Sequence, residues 1–293
     1  MRNPYFIDTP TAISFSGGRT SAYMLWKILE AHDGKLPGCA QVLFANTGKE
    51  VEPTLDFVQE VSERWGVDIV WVERLVTAVE DEKKKYGKSY RYETRVVNHE
   101  TASRNGEPFR QLVLARAYAP NPVARFCTAE LKIRAMRQYI REHHGWEEPY
   151  DVMIGIRADE QMRAHKMHNT VEDSQTRINP LWVDGVTRKD VFEFWNAQPF
   201  DLQLPNNNGV TDWGNCDLCF LKGPNKKLSL IRQKPELADW WIAMENELGE
   251  QVGKAAFFRN DQPSYATMKE MATNTDDLFA DVNDETIPCF CGD

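Results

Sequence analysis

The chain has 293 residues, 42% of them hydrophobic, with nine Trp and fourteen Phe, so it carries the apolar bulk of a large folded core and is not disordered over most of its length. Its formal net charge of −9 argues against non-specific binding to a nucleic-acid backbone; a local basic groove is left to Lys83–Lys85, Arg91 and Arg95. No stretch approaches the ~18–20 uninterrupted apolar residues of a membrane span, and no signal-peptide core follows Met1. The expectation is a cytoplasmic protein without a membrane partner, whose six cysteines stay reduced.

In chain order, Thr11–Phe15 is a β-prone run that leads into Ser16-Gly17-Gly18-Arg19-Thr20-Ser21. Ala22–His32 follows as a helix, with Tyr23, Met24, Ile28 and Ala31 near a 3.6 period. Val42–Ala45 is a second strand ending at the turn Asn46-Thr47-Gly48, Pro53–Trp65 a second helix, and Val67–Val72 a third strand. This alternation predicts an α/β fold, a doubly wound and mostly parallel sheet. Glu80 to Glu107 is charged and aperiodic and reads as a functional loop or lid. Glu130–His143 is helical, Asp151–Ile156 a buried strand followed by an Arg-rich loop, Pro180–Trp182 an extended element and Arg188–Asn196 a helix. From Pro199 the character changes: Pro, Asn and Gly cluster at Leu204–Gly214, a helix spans Pro235–Leu248, and an irregular acidic tail follows Thr273. The predicted organisation is a nucleotide-binding domain over residues 1–198 and a helical and irregular, cysteine-bearing extension over 199–293 packed on it.

Ser14-Phe15-Ser16-Gly17-Gly18-Arg19-Thr20-Ser21 lies between the first strand and the first helix. Glycines let the backbone approach an anion, and successive N–H groups with the helix N-terminus hold its charge. Ser16, Thr20 and Ser21 add hydroxyl donors, and Arg19 a charge-assisted one. The spacing is too short for a Walker A loop, whose Lys-Ser/Thr is also missing. A Gly-rich turn also serves as a plain connection, so the neighbouring motifs decide its reading.

Ser14–Ser21 resembles the PP-loop of the adenine nucleotide α-hydrolase superfamily. Asn46-Thr47-Gly48-Lys49-Glu50-Val51-Glu52-Pro53-Thr54 resembles the Asp-Thr-Gly…Pro-Glu-Thr segment of the phosphoadenosine phosphosulfate (PAPS) reductase family. Gly155-Ile156-Arg157-Ala158-Asp159-Glu160-Gln161-Met162-Arg163 resembles that family's Gly-x-Arg…Glu/Gln…Arg loop, and Asn179-Pro180-Leu181-Trp182 stands where it has a Pro-Leu strand. The likeness runs from Thr11 to Lys222 in motif order. It implies ATP or an adenine sulfonucleotide, with Mg as an optional companion, bound by Ser14, Ser16, Gly17, Gly18, Arg19, Thr20, Ser21, Asn46, Thr47, Gly48 and Glu50. Arg157 and Arg163 could clamp its phosphate or sulfate, or pair with Asp159 and Glu160 on a surface loop. Glu50 and Glu52 would face the ribose, a metal or solvent.

Cys216-Asp217-Leu218-Cys219 is a C-x₂-C pair, Cys127 lies upstream, and the tail adds Cys289 and Cys291. Thiolates suit zinc or an iron–sulfur cluster. Arg125-Phe126-Cys127-Thr128-Ala129-Glu130-Leu131-Lys132 resembles the Cys-Cys-x-x-x-Lys segment of cluster-bearing sulfonucleotide reductases, except that Phe126 replaces the first Cys. The resemblance implies a 4Fe-4S cluster on Cys127, Cys216 and Cys219, with Cys289 or Cys291 as fourth ligand and structural zinc as the alternative. Cys291 is then the candidate nucleophile for reduction of a sulfonucleotide, served by a thiol electron donor or a sulfur-donor protein. Two other readings stand beside it. One is an ATP pyrophosphatase that assists sulfur insertion into nucleic acid or a small molecule; the Gly17-Gly18 pair resembles that branch, whereas Arg19-Thr20 replaces its Lys-Asp. The other is a non-catalytic nucleotide sensor. The remaining candidates read as structural: Cys39 as an apolar filler, Trp240-Trp241 with Met244 as core, and His143, His144, His165 and His168 as surface residues.

Overall fold

The computed structural model describes residues 3–80, 88–146, 149–169, 175–214 and 216–274. The first half alternates as the periodicity predicts: β1 (Thr11–Ser14), α1 (Arg19–Ala31), β2 (Ala40–Ala45), α2 (Glu52–Trp65) and β3 (Ile69–Glu80). The chain then turns back as β4 (Lys88–Val97), forms α3 (Glu107–Arg116), and passes through a π-helical stretch, Thr128–Arg134, into α4 (Ala135–His143). Strand β5 (Tyr150–Ile154), α5 (Gln161–Asn169), β6 (Gln175–Ile178), the short α6 (Pro180–Val183) and α7 (Arg188–Ala197) complete the sheet and its cover. Three further helices follow: α8 (Pro224–Gln233), α9 (Leu237–Val252) and α10 (Tyr265–Asn274).

The strands form one six-stranded sheet in the order β4-β3-β2-β1-β5-β6, parallel except for β4. Ile13 pairs with Val42 on one side of β1 and with Met153 on the other. A parallel sheet buries both faces, and the side-chain alternation of its strands divides the core accordingly. Ile13, Val42 and Phe44 join one cluster with Leu25 and Ile28 of α1, Leu55 and Val58 of α2 and Trp195 of α7. Their neighbours Ala12, Leu43 and Ala45 face the other way, onto Ala135, Tyr139 and Ile140 of α4. From β1 the strand order runs one way to β2 and the other way to β5. Open α/β sheets bind ligands at such a switch point, outside the carboxyl ends of the strands.

Three expectations need correction. Glu80 to Glu107 is not a loop throughout, because β4 pairs with β3 from Trp71↔Val97 to Glu80↔Lys88. Its period-2 signal is hidden: Tyr90, Tyr92 and Thr94 are half-buried, and the alternating Arg91, Glu93 and Arg95 are exposed. Pro180–Trp182 is helical rather than extended, with Pro180 at the first helical positions, where its missing N–H costs nothing. The Arg-rich segment after β5 is a loop only as far as Glu160 and then forms α5. The apolar cluster beneath β1 and β2 continues past residue 198 through Leu218, Phe220, Trp241, Phe258 and Tyr265, so the C-terminal segment packs on the sheet's own core. Among the described residues no helix is long and apolar enough to cross a membrane.

Candidate nucleotide and thiol site

The turn from β1 into α1 is built to face an anion. Gly17 takes φ +78°, and Gly18, extended at φ −104°, is an N-cap with no side chain to satisfy the helix. The first-turn N–H groups of a helix have no intrahelical acceptor and carry its positive end. Here they belong to Arg19, Thr20 and Ser21, and Ser16 to Thr20 line a cavity in front of them. The Ser21 hydroxyl closes the turn: it accepts from the Ser16 amide at 3.2 Å and donates to the Gly18 carbonyl at 2.9 Å.

Arg19 is placed differently from its sequence expectation. Its guanidinium donates to both Asp201 oxygens, at 2.6 and 2.7 Å, and to the Leu202 carbonyl at 2.5 Å. Its charge therefore fastens the segment after α7 across the start of α1, rather than serving an anion alone. Arg157 supplies the cationic contact beside the loop. Gly155 makes this possible, because a Cβ there would sit 3.2 Å from the Ser21 Cα. The chain after β5 thus runs against α1, and Arg157 Nη1 donates to Thr20 Oγ1 at 2.8 Å while lining the anion cavity. Arg163 does not join it. It is 8% exposed, ion-paired with Glu160, and outside the set that lines this cavity; its Nε and Nη2 have no hydrogen-bond partner among the described residues. Of the two arginines expected to clamp the ligand, Arg157 alone lines the cavity.

The same cavity gains two cations that the sequence reading passed over, Arg188 and Lys226. Arg188 opens α7 directly after Thr187, whose capping box with Asp190 fixes that helix start. Lys226 lies in the first turn of α8, 3.1 Å from Asp212. The available signal was a Thr-x-x-Asp cap before a basic residue, and it points to a helix start rather than to a site.

The loop after β2 divides its residues between scaffold and site. The Asn46 amide donates to Glu73 at 2.6 Å and to the Ser103 carbonyl at 2.8 Å, so it holds the turn from inside. Glu73, with no exposed surface, also receives Arg95 at 2.6 Å. Gly48, at φ +80°, donates its amide to the Asn46 side-chain oxygen. Glu50 lines the anion cavity and accepts from the Thr47 amide at 2.9 Å and the Thr47 hydroxyl at 2.8 Å. Glu52 points elsewhere, to Arg104 at 2.9 Å on the surface. The basic groove is not assembled by the described part of its residues: Arg95 is tied to Glu73 and Arg91 lies 3.7 Å from Glu93, while Lys83–Lys85 lie outside the described residues.

A second, largely apolar cavity adjoins the first. Ser14, Ala45, Met136, Ile154 and Ile156 contribute to its walls, and it shares Ser16 and Lys132 with the anion cavity. A third, small and apolar-walled, is lined by Cys127, Cys216 and Cys219 with Phe109, Phe220 and Trp241, and again by Lys132. Cys127 precedes the π-helical stretch; such insertions re-aim side chains and recur at functional sites. Cys216 and Cys219 share a tight turn, with the Cys219 amide donating to the Cys216 carbonyl at 3.3 Å.

This turn is held on the sheet by buried charge. Lys49 meets Asp217 at 2.8 Å and lies over the Trp240 ring, and Trp241 donates its indole N–H to Asp217 at 2.8 Å. Glu50 and Cys216 form an antiparallel backbone bridge. Behind Cys219, burial pushes the Lys227 ammonium down to about 8 and the Tyr265 hydroxyl well above its ordinary range. Three thiols around one cavity are a soft donor set of the chemistry that iron–sulfur clusters and zinc take. Cys289 and Cys291 lie outside the described residues.

The sequence matches a model of the phosphoadenosine phosphosulfate reductase domain over residues 10–203. It is similar to the "uncharacterized nin region protein ORF290" of Escherichia phage lambda, with 29% identity over 214 residues that cover 73% of this chain and 67% of that protein. Among solved structures it is similar to the U34-tRNA thiolase NcsA from Methanococcus maripaludis with its 4Fe-4S cluster. That likeness has a TM-score of 0.40 and 14% identity, covering 99% of this chain and 82% of that one.

Proposed function

This chain belongs to the phosphoadenosine phosphosulfate reductase domain family, and from that premise we propose that it is an adenine-nucleotide enzyme of sulfur chemistry acting on a sulfonucleotide. One observation carries the reading: the anion cavity, the apolar cavity and the thiol cavity all meet at Lys132. The apolar cavity takes the nucleoside and the PP-loop takes the phosphosulfate. Lys132 and Arg157 neutralise charge on the leaving phosphate, the kind of contribution that usually dominates such transfers.

Cys127, Cys216 and Cys219, completed by a tail cysteine, would hold a 4Fe-4S cluster, which supplies a charged and redox-capable centre beside the nucleotide. Cys291 is the nucleophile in this scheme. Its thiolate attacks the sulfate sulfur, the bond from that sulfur to the bridging oxygen breaks, and AMP, or adenosine 3′,5′-bisphosphate from the 3′-phosphorylated substrate, leaves with the electron pair. A thiol electron donor then attacks the cysteine sulfur, so that sulfite departs with the pair of the S–S bond and a disulfide remains.

A second reading is favoured by a specific feature. The anion cavity continues past the loop to Arg188 and Lys226, which share no lining with the apolar cavity. That extra length suits the longer chain of ATP, as in an ATP pyrophosphatase assisting sulfur insertion into nucleic acid or a small molecule. Product analysis separates the two. Sulfite released from adenosine 5′-phosphosulfate, or its 3′-phosphorylated form, in the presence of a dithiol supports the first reading. Pyrophosphate released from ATP, without sulfite from either sulfonucleotide, replaces it with the second. Binding without turnover of any of them leaves a nucleotide sensor.

A further inference from the structure

Between the anion cavity and Cys216 lies a short chain of buried polar groups that phosphate binding alone does not require. The Thr47 hydroxyl is 2.8 and 3.0 Å from the two Glu50 oxygens and 3.6 Å from the Cys216 sulfur. Glu50 lines the anion cavity, and its carboxylate lies 3.6 Å from the Lys132 ammonium. Thr47 and Glu50 are 2% and 8% exposed, so water competes little for these contacts. The backbones of Glu50 and Cys216 are bridged, which keeps the sulfur and the carboxylate in register.

The Thr47 hydroxyl has one proton and two acceptors, and Lys132 biases the choice between them. With the cavity empty, Lys132 partly neutralises Glu50 and weakens its hold on the hydroxyl, so the proton is shared with sulfur. An anion on the loop draws the Lys132 charge toward itself. Glu50 then keeps the Thr47 proton, and Cys216 loses a hydrogen-bond donor. Donors to cluster sulfurs are among the groups that set a cluster's potential.

We propose that Thr47 is a positioning residue that couples occupancy of the anion cavity to the Cys216 sulfur, so that nucleotide binding lowers the reduction potential of the thiol-held centre. This rests on the cluster reading above, and the two fail differently. The test is a reductive titration of the iron-loaded protein, followed by absorption and electron paramagnetic resonance, with and without saturating ADP as a non-reducible probe. Wild type should show a lower midpoint potential with ADP. With iron, sulfide and ADP affinity measured alongside and ADP held saturating for each variant, Thr47→Val should lose the ADP-dependent shift, and Thr47→Ser should restore it. An equal shift in Thr47→Val, or no shift in wild type that binds both iron and ADP, overturns the coupling and leaves the cluster reading standing. Anaerobic protein without iron and acid-labile sulfide overturns the cluster reading, and the coupling with it.

Discussion

The turn from β1 into α1 and the turn that carries Cys216 and Cys219 flank the same cavity system but are held by different physics. The first is made of backbone: a Gly at φ +78°, an uncapped helix start and a hydroxyl closing the turn at 2.9 Å. The second is held by buried charge and aromatic packing, through Lys49, Asp217, Trp240 and Trp241. A backbone-built anion site tolerates changes of side chain except where a Cβ or a negative φ is imposed. A charge-built platform depends on each partner, because removal of one strands the other in a low-dielectric interior. Breaking each side in turn should therefore give different kinds of failure.

The largest expected effect falls on the thiol side and is all-or-none. Protein purified without oxygen should be brown and contain iron with acid-labile sulfide, and Cys216→Ala should be colourless by the same assay. Colourless wild type holding one tightly bound zinc ion would assign these thiols a structural role instead.

Next comes Asp217→Ala, which leaves the buried Lys49 ammonium unpaired and the Trp241 N–H without its acceptor. Breaking a buried pair in this way costs about 3–5 kcal/mol. Urea denaturation should show that loss. A change below about 1 kcal/mol would mean that water reaches Lys49 and that the platform is not charge-built.

The contrast also explains what could be read in advance. β1, α1, β2 and α2 were legible because their apolar spacing matches a helix or a strand and their turns use Gly and Pro. The cysteine turn was legible as a motif, but its attachment was not: nothing in Lys49 or Asp217 announces a partner so far along the chain. Arg163 misled for a different reason: on α5 it pairs with Glu160, three residues earlier, and lies outside the cavity that Arg157 lines. Arg19 likewise reads as an anion ligand until Asp201 is brought across it. β4 escaped because its buried face carries Tyr and Thr rather than aliphatic residues.

On the loop side, Arg157→Ala should weaken nucleotide binding, since loss of a hydrogen bond to a charged group costs about 1.5–3 kcal/mol. Calorimetric titration with ADP measures it as roughly a tenfold to hundredfold rise in Kd. Arg163→Ala is the control, expected to change stability more than affinity because its guanidinium is buried against Glu160 away from the cavity lining. Equal losses of affinity in both would restore the two-Arg clamp.

The smallest effect distinguishes the two glycines of the loop. The sequence suggests that a side chain at either would fill the space needed by the anion and violate a positive φ. The geometry assigns these costs differently. Gly17 has φ +78°, and a Cβ there would lie 2.7 Å from Thr54 Cγ2 and 3.2 Å from both Phe44 and Val58, so it would point into the core. Gly18 is extended at φ −104° and lines the anion cavity. An L-residue forced into the left-handed region costs about 1–2 kcal/mol. Gly17→Ala should therefore lower the urea midpoint while affinity for ADP, measured below the transition, changes less. Gly18→Ala should leave the midpoint near wild type and raise the Kd. Were Gly17→Ala as stable as wild type and Gly18→Ala indifferent to ADP, the loop would be an ordinary strand–helix connection and its backbone would hold no anion.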